Sequence, residues 1–281
     1  MTRFSISITV LGMIVLFSTW GHTRIANTQD TLFSIQKDGL YLHSDLSLDW
    51  ITGTAEVIQF SGSQGSQFLL EPHILFLTAS GTFAKKDDDR YLNQYFGHLR
   101  YRYRIWKMIM AELFAQGEYN EFRRILVRLP LGVGPRIQRD FGTGRLLQLA
   151  FGTSYMFELV HLSEDSDAQG NRYDDSLEYE HNHRWNNYLA FKVNAGFVSL
   201  GATVYMQPEL TDFNDWMLLV ESELSFKITD YLALSITYTL FRDSKPPQGV
   251  INQDTALKTV LKFSFGPWLP QEARTDPAPS P

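Results

Sequence analysis

Residues 145–160, RLLQLAFGTSYMFELV, alternate with a strict period of two. Leu147, Leu149, Phe151, Thr153, Tyr155, Phe157 and Leu159 share one face, while Gln148, Ala150, Gly152, Ser154, Met156 and Glu158 share the other. That is the geometry of a β-strand whose two faces meet different surroundings. Soluble strands run to about five or six residues. A tilted strand crossing a bilayer needs about ten, with any excess standing proud of the lipid. The same pattern recurs along the chain and predicts strands near 40–49, 54–64, 69–83, 90–105, 107–119 and 123–138. A second set follows near 145–161, 176–191, 194–208, 215–228, 231–243 and 254–266. Twelve is an even number, as single-chain bacterial barrels require. Counts of ten or fourteen are also compatible, because Ser61 to Gln67 and Glu71-Pro72 blur the alternation in the first three. No helix-period segment interrupts the series.

The faces differ in chemistry as well as in phase. Tyr95, Leu99, Tyr101, Tyr103 and Ile105 alternate with Gln94, His98, Arg100, Arg102 and Arg104. Ile125, Val127, Leu129, Leu131 and Val133 alternate with Arg124, Arg128 and Gly132, and Leu257, Leu261, Phe263 and Phe265 with Lys258, Lys262 and Ser264. An apolar face of this kind suits hydrocarbon, where a basic residue at mid-depth costs about 2–4 kcal/mol. The polar face then lines a lumen. Tyr91, Tyr188, Trp216 and Tyr231, near strand ends, suit interfacial girdles, whereas Trp106 and Trp185 are equally well explained as ordinary loop aromatics. Joints after even-numbered strands (105–107, 140–144, 193–196, 228–230) are short. Those after odd-numbered strands (85–90, 163–176, 208–215, 242–254) are longer, as expected for a barrel with its N-terminus in the periplasm.

Composition narrows the setting. The 281 residues include 13 Tyr, 20 Phe and 6 Trp, residue types that suit pleated surfaces and membrane interfaces. A net charge of -6 with no basic tract argues against nucleic acid as a partner. The absence of Cys excludes disulfides, thiol chemistry and lipid attachment through an N-terminal Cys. Arg3 followed by the apolar run SISITVLGMIVLF (5–17) reads as a secretory signal cleaved between 21 and 26, too short for a membrane span. The expected organisation is therefore a signal peptide (1–26), a short periplasmic segment (27–39), a β-barrel (40–266) and a disordered Pro-rich tail (267–281). The fold class is all-β, a transmembrane antiparallel up-and-down barrel of about twelve strands in the outer membrane.

The inward positions carry a sign pattern. Arg100, Arg102, Arg104, Arg124, Arg128 and Arg136 fall on the fourth and sixth strands. Glu112 and Glu118 fall on the fifth, Glu158 on the seventh, Glu178 and Glu180 on the eighth, and Glu221 and Glu223 on the tenth. Basic and acidic strands thus adjoin, and opposite charges across a strand pair attract. This lattice either zips the wall together or screens a pore and small-solute site.

Other chemistry is faint. Gly132-Val133-Gly134 lacks the Lys and helix of a phosphate loop and is better used to thin the inner wall. His181 and His183 share a face without a third ligand of matching spacing, so a surface pair is expected rather than a metal site. A barrel hydrolase would need Ser, His and an orienting Asn; Ser154, Ser176, His181, Asn182 and His183 do not single out a triad. Lys85 to Arg90 reads as a hydrated loop without a distal Glu for calcium. No cofactor-binding pattern is present.

Several segments resemble a family of bacterial outer-membrane proteins of unknown function, described as salt-stress-induced. They are Leu46-Ser-Leu48 running into Ile51-Thr-Gly53; Leu131-Gly-Val-Gly134 with Arg136; Leu149 to Glu158; and Pro246-Pro247, Gly249-Val250 and Asp254 ahead of a strand ending Lys262-Phe-Ser-Phe265. The resemblance covers roughly residues 44–265. Thr54 departs from the family's Asn, and the chain continues past Phe265. The resemblance implies an outer-membrane barrel without an agreed reaction. The expected partners are membrane lipid and lipopolysaccharide, the assembly machinery reading a last strand that ends at Phe265, and small solutes or ions. The expected function is structural or that of a narrow channel with a charge-paired lumen, linked to osmotic stress and not enzymatic. A barrel hydrolase acting on lipid and a soluble exported lipid-binding barrel are the alternatives.

Overall fold

The computed structural model describes residues 38–51, 57–86, 89–142, 146–163 and 179–268. The expected signal peptide (1–26), Thr54, Ser176, Glu178 and residues 269–281 of the expected tail lie outside the described residues. Twelve strands follow in order: β1 (Gly39–Ile51), β2 (Val57–Leu70), β3 (His73–Lys86), β4 (Asp89–Arg104), β5 (Ile109–Asn120) and β6 (Ile125–Phe141). Then come β7 (Leu147–Leu162), β8 (Glu180–Ala195), β9 (Val198–Pro208), β10 (Trp216–Lys227), β11 (Leu232–Asp243) and β12 (Gln253–Trp268). Each pairs antiparallel with its sequence neighbours, and β1 pairs with β12, so the sheet closes into a barrel. Closure matters because an edge strand would leave a row of backbone N–H and C=O groups without partners in lipid.

The strand count and the alternation of faces agree with the sequence pattern. In β7 the even-numbered residues from Gln148 to Leu162 are buried in the lumen, whereas Leu149, Phe151 and Tyr155 are exposed outside. Large apolar side chains cover the exterior from Leu46 and Phe60 through Leu131 and Val133 to Leu261 and Phe265. Among the described residues the exterior also carries a few polar groups that bond within the wall. Thr153 donates to Asn187 (2.8 Å) and accepts from the Trp185 indole (2.8 Å), and Ser44 donates to Gln64.

The sequence expectations require four corrections. The β2–β3 turn is Glu71-Pro72, so β2 runs on through the Ser- and Gly-rich stretch that blurred the alternation. Lys85, Lys86, Asp89 and Arg90 belong to strands, leaving only residues 87–88 between β3 and β4, so long connections are confined to 163–179, 209–215 and 244–252. Ile125 faces inward, because a register shift between Ile125 and Val127 resets the phase of β6 and puts Leu126 outside. Pro267 does not end the pairing. Leu42 pairs with Phe265 and Leu40 with Trp268, so Gly266 and Pro267 together oppose Tyr41. Such a bulge accommodates a residue without an N–H inside a ladder.

Arginine at an outward position near the centre of the wall should weaken folding into lipid vesicles by about 2–4 kcal/mol. Leu131→Arg and Phe151→Arg test this, since both side chains are about half exposed outside. Gln148→Arg, inward and beside Asp140, should cost clearly less in the same urea titration. Equal losses at all three would contradict the assignment of the faces.

Candidate functional site

Among the described residues charged side chains gather in the lumen, and the strand register decides which of them meet. Two layers result. In the layer nearer the short turns, Arg102 Nε donates to Glu112 at 2.7 Å from the paired position on β5. Arg100 Nη1 lies 3.8 Å from the same carboxylate. Tyr188, three strands away on β8, donates its hydroxyl to Glu112 (3.1 Å) and accepts from Arg136 Nη1 (2.7 Å). Tyr188 is therefore a lumen bridge rather than a girdle residue. Gly152 makes room for it, since a Cβ there would lie 2.3 Å from the Tyr188 ring. Gly132 likewise admits the Phe114 ring, so Gly132 and Gly134 thin the wall as their position in β6 predicts.

In the layer nearer the long loops, Glu158 is fully buried between two arginines. It accepts from Arg128 Nε (2.5 Å) and from Arg184 Nε (2.9 Å). Arg128 also donates to Glu118 (3.1 Å), and Arg184 to Asp215 (2.9 Å) at the mouth. On the opposite wall Lys262 donates to Glu223 across the width of β11 (2.8 Å).

The longest reach comes from the corner between β5 and β6. Asn120 caps a 3-10 turn (Glu121–Arg123) by accepting from the Arg123 amide, and Arg124 follows in the left-handed conformation with φ of 58°. A non-glycine residue held there signals local strain. The turn sends two successive arginines into the mouth. Arg123 crosses the barrel to Asp254 (3.2 Å) and Asp243 (3.3 Å), lying over the Phe241 ring. Arg124 donates to the Gln248 and Ser163 carbonyls, tying loop 244–252 to the start of loop 163–179. Outside, Lys245 donates to Asp212 (2.5 Å), which holds the Asp212 carboxyl below its usual range and raises the Lys245 ammonium. Beneath these loops lies a cavity of about 270 Å³ lined by Arg128, Glu158, Arg184, Met217 and Phe241, with Pro246 to Gln248 above.

The remaining predicted lattice members are dispersed. Arg104 is part-exposed and pairs with Glu71 at the short-turn end (2.9 Å). Glu180 is exposed at the cavity rim, Glu221 is buried in the lumen, and Glu178 lies outside the described residues. Sequence reasoning missed Arg123, Arg184, Asp215, Asp243 and Tyr188. Arg184 follows Glu180 and Asn182 at period two, so its inward phase was readable. Arg123, Asp215 and Asp243 depend on how loops fold back, which periodicity does not encode. His181 and His183 face outward, where His183 meets the Tyr155 hydroxyl (2.5 Å), whereas Ser154 faces the lumen and pairs with Asn186. The wall separates them, so they form no Ser–His pair. Among the described residues no group of three His, Asp or Glu is placed to hold a metal ion.

An even-stranded closed barrel with an apolar exterior and a polar interior is an outer-membrane architecture. Residues 44–265 match the family described as "Protein of unknown function, DUF481". No curated protein matches the chain. Among solved structures, the KdgM porin is 9% identical, with a TM-score of 0.44, over 81% of this chain and 99% of its own. The NanC porin is 12% identical, with a TM-score of 0.43, over 80% and 97%. The translocator domain of the autotransporter NalP from Neisseria meningitidis is 11% identical, with a TM-score of 0.45, over 85% and 92%.

Removing Glu112 alone leaves buried neighbouring guanidiniums facing one another, which should cost about 3–5 kcal/mol. Glu112→Gln should therefore be worse than Glu112→Gln combined with Arg102→Met. Unfolding of the four proteins in vesicles gives the coupling directly. A coupling of about 1 kcal/mol or less would mean that water screens the pair.

Proposed function

We propose that this chain, which belongs to the DUF481 family of proteins of unknown function, is a narrow outer-membrane channel whose lumen is restricted by ion pairs between strands that are not neighbours. The observation that carries this reading is the reach of Arg123 from the β5–β6 corner to Asp243 and Asp254 on the far wall. Tyr188, Arg136 and Glu112 repeat the bridging at a second level. An interior crossed in this way leaves passages for ions, water and the smallest polar solutes, and excludes anything of sugar size. Arg123, Arg128, Arg184 and Glu112, which narrow the path, each have a partner of opposite charge, which keeps their desolvation tolerable. The channel has no catalytic role in this reading; it passes small solutes during osmotic stress, a link that rests on the family resemblance. Lipid and lipopolysaccharide surround it. The assembly machinery reads its last strand, which extends beyond Phe265 to Trp268.

Planar bilayers test the proposal. The purified protein should give small, discrete conductance steps, and vesicles containing it should not swell in disaccharide solutions. Arg123→Ala should raise the conductance by removing the bridge at the mouth. An unchanged conductance in that variant, or entry of disaccharides through the native protein, would contradict the reading.

A further inference from the structure

One quarter of the lumen carries buried polar atoms that the ion-pair layers leave without hydrogen bonds. On the inner face of β2, β3 and β4, Gln67, Thr78, His98 and Arg100 are 1%, 5%, 1% and 2% exposed. The register puts Thr78 directly opposite His98, and Phe76 opposite both Gln67 and Arg100. Facing residues stand about 5 Å apart and diagonal ones about 7–8 Å, so the four make one patch. Both amide atoms of Gln67, the Thr78 hydroxyl, both ring nitrogens of His98, and Nε and Nη1 of Arg100 have no hydrogen-bond partner within the protein. Buried polar groups in folded proteins are nearly always bonded, so a contiguous set of exceptions marks the place of a water or an ion.

The chemistry of the patch selects between these. Two guanidinium positions, a hydroxyl, an amide NH2 and one imidazole N–H are donors, and they outnumber the acceptors beside them. Arg100 bonds to the Tyr205 side chain and shares its nearest carboxylate, Glu112 at 3.8 Å, with Arg102, and its Nε and Nη1 still make no hydrogen bond. A cluster of donors around a cation calls for an anion. The space is small. Gly65, opposite Thr78, carries no side chain, and a Cβ there would already be in van der Waals contact with His43 (3.8 Å) and the Thr78 hydroxyl (3.9 Å). The His98 ring is held by stacking on Phe96 and Phe114, with centroids 6.2 Å away on each side. Room for a single methyl-sized group suits a single-atom ion and not an oxyanion or a sugar acid.

We propose that Gln67, Thr78, His98 and Arg100 bind one halide ion, chloride in the cell, and that this site makes the narrow path select anions. Binding stands independently of the channel reading; selectivity rests on it. Crystals of the full-length protein soaked in sodium bromide should show one anomalous scattering peak within hydrogen-bond distance of Arg100 and Thr78. Thr78→Val, close in shape but without the donor, should weaken bromide binding about tenfold, as should His98→Phe. Arg100→Met should abolish it, and the Thr78 variant keeps the test sharp if that protein does not fold. In bilayers under a potassium chloride gradient, the reversal potential should favour chloride and move toward potassium in Thr78→Val. An ordered water without an anomalous peak overturns the site. So does a bromide that stays at full strength in Thr78→Val and His98→Phe, which would be adventitious. Bromide bound in a protein that does not conduct would sink the channel and keep the site; conduction without bromide would do the reverse.

Discussion

Hydrocarbon offers no partner to a backbone N–H or C=O, so a sheet within it has to close on itself. The pairing of β1 with β12 satisfies that demand, and the rest of the molecule follows from it. Once the sheet is closed, every residue belongs to the outside or the inside by parity, and one slip of register would exchange the two. The bulge opposite Tyr41 therefore matters: it carries Gly266 and Pro267 through the seam without breaking the ladder on either side.

The inside is governed by a different cost. A barrel this narrow brings opposite walls within reach of an arginine, and side chains pointing inward meet one another instead of bulk water. Lone charges there are expensive, and pairs or triads with hydrogen bonds are tolerable. The Arg128–Glu158–Arg184 triad and the Arg102–Glu112–Tyr188–Arg136 chain are such arrangements. Glycines at 132 and 152 give the large rings room to complete them. The interior thus has a mouth with a cavity beneath folded-in loops, and a bridged layer below it. A restricted channel is what such an interior can serve as.

Much of this was legible in the sequence, because the wall has a period and the period is two. The alternation in 145–160 gave β7 its faces, and the same logic placed Arg100, Arg102, Glu112, Arg128, Arg136 and Glu158 inside. Periodicity failed where the backbone leaves its period. Ile125 changes sides at a bulge, and Pro267 mimics a terminus because a bulge is invisible in a run of residue types. KKDDDR looked like a loop by its charge, although its flanks pair in β3 and β4. Tyr188 looked like an interfacial aromatic by its type, although its even number in β8 put it beside Arg184 and Asn186 on the inner face. The bridging role of Arg123 needs a corner and the far wall together, and no local pattern holds both.

The central claim is a lipid-facing exterior around an interior closed to all but the smallest species. Because the chain has no Cys, single cysteines can carry nitroxide labels along β7 in bilayers. Collisions with oxygen and with a water-soluble nickel chelate then report each position. Oxygen contact should peak at 149, 151 and 155. Chelate contact should appear at 158 and 160, near the mouth, and vanish at 150 and 154. Chelate contact at every even position would mean a wide water-filled pore, and a loss of alternation would mean that the strand does not cross the membrane.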